Sequence, residues 1–467
     1  MSLTDNVLAR IDADLPAAQA RWMDWLRIPS IGAQPEHAAD CRAAAEHARA
    51  DLASLGFEAS LRETAGHPVV VAHHPGPAGG DRAGAKRPHL LYYGHYDVQP
   101  ADPLELWTHP PFEPTVVEGP HGPRVYARGA VDDKGQVSMW LGAFRAWHAE
   151  TGSMPCPISV VIEGEEETGS VNFKPFVVAN AAELAADIVV ISDTGMWDID
   201  TPALSTSLRG MVYMEVVLKA ANRDLHSGIY GGSALNPINA LTRALGELKD
   251  DGGRVMVPGF YDGVRDISAG KANQWAALGF DEAEALNSIG LSEPYGEAGR
   301  GALERMWARP TCDICGIWGG YSGPGTKTVI AAEAGAKVSF RLVPGQDPAA
   351  VVEGFKRFMQ ARVPKDAKLV FTVHGEGPGI EISTDSLFAR AATAALAEEY
   401  GRAPVMMGCG GSIPVVDTLQ QALGLECLLI GFGLNGDQVH SPNEKFEVRC
   451  FHRGMRSHAR LLGKLGG

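Results

Sequence analysis

The segment Pro88-His89-Leu90-Leu91-Tyr92-Tyr93-Gly94-His95-Tyr96-Asp97-Val98 joins a short apolar run to a histidine and an aspartate two residues apart. The run Leu90-Leu91-Tyr92-Tyr93 predicts a buried strand, and the polar pair falls where that strand ends. In open α/β sheets, ligand sites gather outside the strand ends. On an extended backbone, residues i and i+2 face the same way, so Asp97 is expected close to His95. A carboxylate beside an imidazole holds it in one tautomer and leaves its other nitrogen for a metal. His-x-Asp is short enough to arise by chance. Its weight comes from four further acid or histidine clusters downstream, each at the end of an apolar run.

The alternation of strand and helix extends on both sides of this segment. Residues 4–27 and 36–56 have amphipathic helical spacing, the second stopping at Gly56. Val69-Val70-Val71-Ala72-His73-His74 predicts a strand, and the Gly-, Pro- and Ala-rich residues 75–86 a loop. A proline-punctuated stretch, 100–122, leads to Arg128-Gly129-Ala130-Val131-Asp132-Asp133-Lys134-Gly135. Residues 136–150 predict a helix with Trp140, Phe144 and Trp147 on its apolar face. The strand 157–162 leads into Glu163-Gly164-Glu165-Glu166-Glu167, and the strand 188–191 into Ser192-Asp193. Such alternation predicts an α/β fold whose sheet is covered on both faces.

Near residue 208 the character changes. A strand at 212–218, a helix at 236–248, a strand at 336–344, a helix at 348–361 and a strand at 369–374 predict an inserted second domain over roughly 208–382. Residues 250–310 carry mixed helical signals and no recognisable chemistry. The first domain is then discontinuous, 1–207 and 383–467. It resumes with a helix at 385–400 and a strand at 426–431 that leads to Asp437-Gln438-Val439-His440.

A chain of 467 residues can bury two cores. Its 56 acidic and 41 basic side chains give a net charge of −15, which argues against a general binder of nucleic acid or anionic membrane. The polar start Met1-Ser2-Leu3-Thr4-Asp5 does not have the pattern of a signal peptide. No run of about 18 apolar residues predicts a membrane span. Seven cysteines in a long chain without an export signal fit a reducing, cytoplasmic setting. Cys312-Asp313-Ile314-Cys315 has the C-x-x-C spacing, but no second pair accompanies it, so it carries no zinc or redox expectation.

The five clusters are His95/Asp97, Asp132/Asp133, Glu165/Glu166/Glu167, Asp193 and His440. Two histidines with several carboxylates make an N/O donor set suited to zinc, manganese or cobalt. Acidic residues after strands also serve as helix N-caps, but caps account poorly for all five clusters together. Five or six donors exceed the three or four that one zinc takes. They predict two metals sharing a bridging carboxylate, an arrangement that activates water for hydrolysis. In the glutamate run, one residue can ligate while its neighbour acts as general base.

From about residue 20 to the C-terminus, the order of these motifs resembles the dinuclear-zinc metallopeptidases. That group includes carnosinase-type dipeptidases, aminoacylase, glutamate carboxypeptidases and the deacylases of arginine and lysine biosynthesis. The resemblance implies a zinc-exopeptidase-like catalytic domain with a mixed central sheet, plus a smaller inserted α+β lid and dimerisation domain. It implies that His95 and Asp193 bind one metal, Glu167 and His440 the other, and Asp132 bridges both. Asp97 would orient His95, and Glu166 would be the general base. Several stretches are most similar to the cytosolic nonspecific dipeptidases. Asp224-Leu225-His226-Ser227-Gly228 matches a lid histidine that reaches the active site of the other subunit in a homodimer and steadies the oxyanion. Segments containing Thr328 and Arg341 match those that hold the substrate carboxylate, and Gly410-Gly411-Ser412 matches a loop that contacts the same group. A guanidinium suits that task because it binds carboxylates bidentately. The chain departs from the pattern at Gly408-Cys409, where similar dipeptidases carry Arg-Glu, and at Ala331, where they carry Pro. These departures concern the substrate, with Cys409 read as a packed side chain. The expectation is metal-dependent hydrolysis of dipeptides or short peptides with two divalent ions, Zn²⁺ foremost and Mn²⁺ or Co²⁺ as substitutes. An N-acyl or N-carbamoyl amino-acid amidohydrolase on the same scaffold is the alternative.

Overall fold

In the computed structural model, the residues described are 2–77 and 87–467, so most of the loop expected at 75–86 lies outside them. The chain divides into two compact units. One comprises Met1–Thr206, Ile382–Met407 and Pro414–Gly467; the other comprises Ser207–Glu381 and Gly408–Ile413.

At the centre of the first unit, Leu90–His95 lies parallel to Ile158–Glu163 on one side and to Ile188–Ile191 on the other. Glu426–Leu429 extends the parallel set beyond Ile188–Ile191. The three central strands are buried at every residue, which is why their sequences read as continuous apolar runs rather than alternating ones. Val69–His74 and Glu58–Arg62 add antiparallel strands at one edge, and Ala203–Leu208 adds one at the other, so the sheet is mixed as expected.

Three helices pack together in this unit, Leu3–Leu26, Lys134–Thr151 and Val448–Gly466. Trp140, Phe144 and Trp147 are buried on the second of them, in agreement with its apolar stripe. Trp22 stacks on Phe451 with ring centroids 4.6 Å apart, and Trp140 stacks on His458 at 4.0 Å. The helix Val448–Gly466 is not evident from the sequence. Its buried Phe451, Met455 and Leu462 are interleaved with Arg449, Arg453, Arg456 and Arg460. The arginine heads are held by acids of neighbouring elements, such as Glu399 for Arg456 and Arg460. Also unforeseen is an antiparallel hairpin, Thr115–Gly119 with Gly122–Tyr126, inside the proline-punctuated stretch. Lys445–Glu447 completes its three-stranded sheet, pairing across a long separation that local pattern cannot reveal.

The second unit is an antiparallel sheet in the order Thr311–Gly319, Glu333–Leu342, Gly210–Lys219, Lys368–Gly377. Along Gly210–Lys219 every second side chain is buried, namely Val212, Met214, Val216 and Leu218. This period of two marks a sheet with one packed face. The packed face meets the helices Pro237–Gly246 and Pro348–Gln360 around Phe340, Phe355 and Phe358. The strand Thr311–Gly319 contains the C-x-x-C residues. Cys312 is buried and Cys315 exposed, and among the described residues the pair belongs to no metal-binding group. Residues 250–310 contain three short helices, Ala269–Ala276, Glu282–Ser288 and Ala302–Trp307, anchored by Trp275 against Trp307 at 5.1 Å.

Gly94 is the tightest point beside His95. A Cβ there would stand 2.6 Å from Val137 Cγ2 and 2.9 Å from Asp133 Oδ2. Asp133 Oδ2 also accepts from His95 N at 3.1 Å. Gly94→Ala is therefore expected to destabilise the protein by about 1–3 kcal/mol through overpacking, read as a lower urea midpoint. An unchanged midpoint would mean that the strand can shift without cost.

Candidate metal centre

The three central parallel strands deliver their polar residues at one end. His95 terminates Leu90–His95, Glu166 and Glu167 form the 3-10 turn just after Ile158–Glu163, and Asp193 follows Ile188–Ile191. Asp132 precedes the helix Lys134–Thr151. His440 comes from the loop after Glu426–Leu429, where Gln438, His440 and Asn443 all have left-handed backbone. Non-glycine residues rarely adopt that conformation, and it gathers at functional loops.

These residues form two groups that share one member. His95, Asp132 and Asp193 offer donor atoms all within 4.8 Å of one another, and so do Asp132, Glu167 and His440. Asp132 Oδ1 lies 3.1 Å from His95 Nε2, and its other oxygen, Oδ2, lies 2.9 Å from His440 Nε2. Glu167 Oε2 is 3.2 Å from His440 Nε2, and Asp193 Oδ2 is 4.0 Å from His95 Nε2. Asp97 stands behind the first group. Its backbone oxygen is 3.0 Å from His95 Nδ1, and its carboxylate accepts from the backbone N–H groups of Glu166 and Glu167 at 3.3 and 3.0 Å.

A further support was not singled out in the sequence. Glu444, fully buried, accepts from the backbone N–H groups of Gly129, Val131 and Asp132 at 3.0, 3.0 and 3.2 Å, and pairs with Arg128 at 2.8 Å. It fastens the loop that carries Asp132. No spacing cue ties a glutamate four residues past His440 to a loop so far upstream. Gln99 is a second such residue, donating to Glu167 Oε2 at 2.7 Å.

The electrostatics are those of a donor set under mutual repulsion. Burial, then the charge of Asp132, pushes Asp193 up to about 7. Burial, reinforced by Asp193, Asp132 and Glu167, lifts Glu166 well above the usual carboxylate range, and burial with Asp132 also raises Glu167. Hydrogen bonds to Asp132 and Glu167 raise His440 to about 10. Burial opposes the charged form of His95, but Asp132, Asp97 and Asp133 outweigh it and hold His95 well above its ordinary value. The buried His95 Nε2 has no partner of hydrogen-bond geometry among the described residues, although Asp132 Oδ1 is near. An orphaned imidazole nitrogen among crowded carboxylates fits a divalent cation, which binds the deprotonated forms of these groups. The two groups can thus hold two ions with Asp132 between them.

Four other candidates from the sequence lie in the second unit. Arg341 Nη1 donates to Ser412 Oγ at 3.0 Å, bringing together residues 71 apart in the chain. His226 is exposed and caps a short helix by accepting from Gly228 N at 3.0 Å. Thr328 lies beside it, its carbonyl accepting from Ser227 N at 3.0 Å.

Known proteins resemble the chain along most of its length. Residues 91–464 match the family described as peptidase family M20/M25/M40. The chain is 34% identical over 373 residues to the Beta-Ala-His dipeptidase of Homo sapiens, covering 79% of this chain and 73% of that one. It is 32% identical over 377 residues to the Cys-Gly metallodipeptidase dug1 of Schizosaccharomyces pombe, covering 79% and 78%. The solved structure of the M20 family metallo-carboxypeptidase Sso-CP2 from Sulfolobus solfataricus aligns over 96% of this chain and 99% of that one, with a TM-score of 0.82 and 29% identity. With the match to the family spanning most of the chain and a shared-carboxylate donor set in its first unit, this protein belongs to peptidase family M20/M25/M40 and is a metal-dependent peptide hydrolase.

Proposed function

We propose that this hydrolase cleaves dipeptides and other short peptides that present a free C-terminal carboxylate, using two divalent ions with Zn²⁺ foremost and Mn²⁺ or Co²⁺ as substitutes. The observation that carries it is the Asp132 carboxylate, one oxygen facing His95 and the other His440. Bound ions would polarise the scissile carbonyl and lower the pKa of the attacking water. The chain's own residues do the rest. His95 and Asp193 form one ligand group, Glu167 and His440 the other, and Asp97 keeps His95 oriented. Glu166 takes the proton of the attacking water and returns it to the leaving amine. Burial raises its affinity for protons, which suits it to hold one during that exchange.

In the second unit, Arg341 and Ser412 bind the terminal carboxylate, which restricts substrates to small peptides. His226, with Thr328 beside it, supplies a donor to the oxyanion. By the resemblance noted above, His226 does so in the active site of the other subunit of a homodimer formed through this unit. The dipeptidase names of the relatives favour this activity over hydrolysis of N-acyl or N-carbamoyl amino acids. A cytoplasmic setting is supported by seven cysteines with no disulfide among the described residues. Among the described residues, no helix is long and apolar enough to cross a membrane.

Chelation should abolish cleavage of a dipeptide panel, and Zn²⁺, Mn²⁺ or Co²⁺ should restore it, with C-amidated peptides poor. Restoration only toward N-acyl or N-carbamoyl amino acids would move the activity to that class. Glu166→Gln should keep its metal content by elemental analysis and lose at least about a hundredfold in kcat. Unchanged turnover would remove Glu166 from the base role. Asp132→Ala should bind close to no metal, whereas His440→Ala should keep about one ion per chain. Equal losses in the two variants would argue against a shared carboxylate. Because Asp193 titrates near 7 and His440 near 10, protons compete with the metal. Affinity should therefore weaken as pH falls from about 8 to about 6 in a competitive chelator titration. A flat profile would exclude these groups as ligands.

A further inference from the structure

Arg209, between the strands Ala203–Leu208 and Gly210–Lys219, touches the loop 409–412 at three points. Its backbone N–H donates to the Cys409 carbonyl at 3.2 Å, and its Nε donates to the Gly410 carbonyl at 3.0 Å. Its own carbonyl accepts from Ser412 Oγ at 2.5 Å. The approach is so close that a Cβ on Gly410 would stand 3.0 Å from Arg209 Nη2 and 3.1 Å from the Met306 carbonyl. Ser412 Oγ is therefore held from two sides, donating to Arg209 and accepting from Arg341.

The charge of Arg209 is as informative as its bonds. Most of the neighbouring cations are matched with acids: Arg309 with Glu297 at 2.7 Å, Lys249 with Asp313 at 3.3 Å, and Arg305 with Glu282. Among the described residues, neither Arg209 nor Arg341 is paired with a carboxylate. Among the described residues, the hydrogen-bond acceptors of the Arg209 guanidinium are carbonyl oxygens, of Gly410 and, at 3.5 Å, of Arg309, while the charge of Asp313 acts on it without forming an ion pair. Burial, with the like charge of Arg341 adding to it, lowers Arg209 to about 10. A half-buried cation with no carboxylate in ion-pair contact is costly unless an anion arrives to share the site. Two such cations flanking one serine make a surface that favours a carboxylate.

We propose that Arg209 is a positioning residue for substrate recognition, which clamps the loop 409–412 so that Ser412 is presented to the terminal carboxylate and whose charge, in no ion pair among the described residues, adds to that of Arg341. This role rests on the peptidase function proposed above. It also gives a meaning to the departure at Gly408-Cys409. Gly408 stands in place of an arginine and Cys409 in place of a glutamate, so this part of the loop beside Arg209 carries no fixed charge of its own.

Two variants separate the clamp from the charge. Arg209→Met removes both. Cys409→Glu leaves the Arg209 hydrogen bonds to backbone in place and cancels the charge. Each should raise KM for a dipeptide about tenfold or more, leave its kcat within about twofold, and leave KM for the C-amidated dipeptide unchanged. A purely structural role would move acid and amide together, or kcat alone, and would overturn the proposal. Binding of a non-cleavable reduced-amide dipeptide and its C-amide, measured by calorimetry on the metal-loaded protein, makes the outcome independent of turnover. If the wild type cleaves no dipeptide, yet binds the acid over the amide and loses that preference in both variants, the recognition role stands and the peptidase function falls. If it cleaves dipeptides and both variants keep the preference, the reverse holds. If the wild type binds acid and amide equally, the recognition role fails whatever the turnover.

Discussion

The sharing of one carboxylate between two ligand groups is the constraint on which the first unit depends. Asp132 must point one oxygen at His95 and the other at His440. Burial resists the ionisation of Asp193 and Glu166, and the neighbouring carboxylates add their repulsion to it. Left to themselves the loops would spread apart, so the fold has to hold them. Glu444 does so through three backbone N–H groups and Arg128, and Asp97 does so by accepting from Glu166 and Glu167. Much of the negative charge around the centre therefore serves to pin backbone and leaves the ligands free to face inward.

The parallel sheet solves the positioning problem in another way. Strands buried on both faces shift little, because any sliding would break a continuous ladder and a packed core. His95, Glu167 and Asp193 leave adjacent strand ends, so their backbones are fixed relative to one another before any side chain is considered. The second unit uses the opposite design. Its sheet packs one face, leaving Arg341 half-buried on the other, next in sequence to the fully buried Phe340. A strand period of two thus separates the residue that builds the core from the residue that meets Ser412.

How much of this could be read beforehand differs from residue to residue. His95, Asp132, Glu166, Glu167, Asp193 and His440 stood out because each follows an apolar run, a local pattern. The pairing of Arg341 with Ser412 had no such mark and came only from resemblance to other dipeptidases. Arg209 and Glu444 had neither. The helix Val448–Gly466 is not legible in the sequence because arginines dilute its stripe, and their partners are acids brought in from other elements, such as Glu399. The hairpin Thr115–Tyr126 is not legible in the sequence because prolines dominate the stretch before it and its third strand, Lys445–Glu447, is contributed from near the C-terminus.

The sequence by itself determined the class of fold and the chemistry of the donors, since the periods of two and 3.6, the continuous apolar runs and the residue types at their ends are local properties. Only the tertiary structure decided which oxygen of Asp132 faces which histidine, that Glu444 secures the loop beneath it, and that Arg209 reaches the Ser412 loop without an ion-pair partner among the described residues. Those outcomes depend on hydrogen bonds between residues far apart in the chain, and no local period encodes such distances.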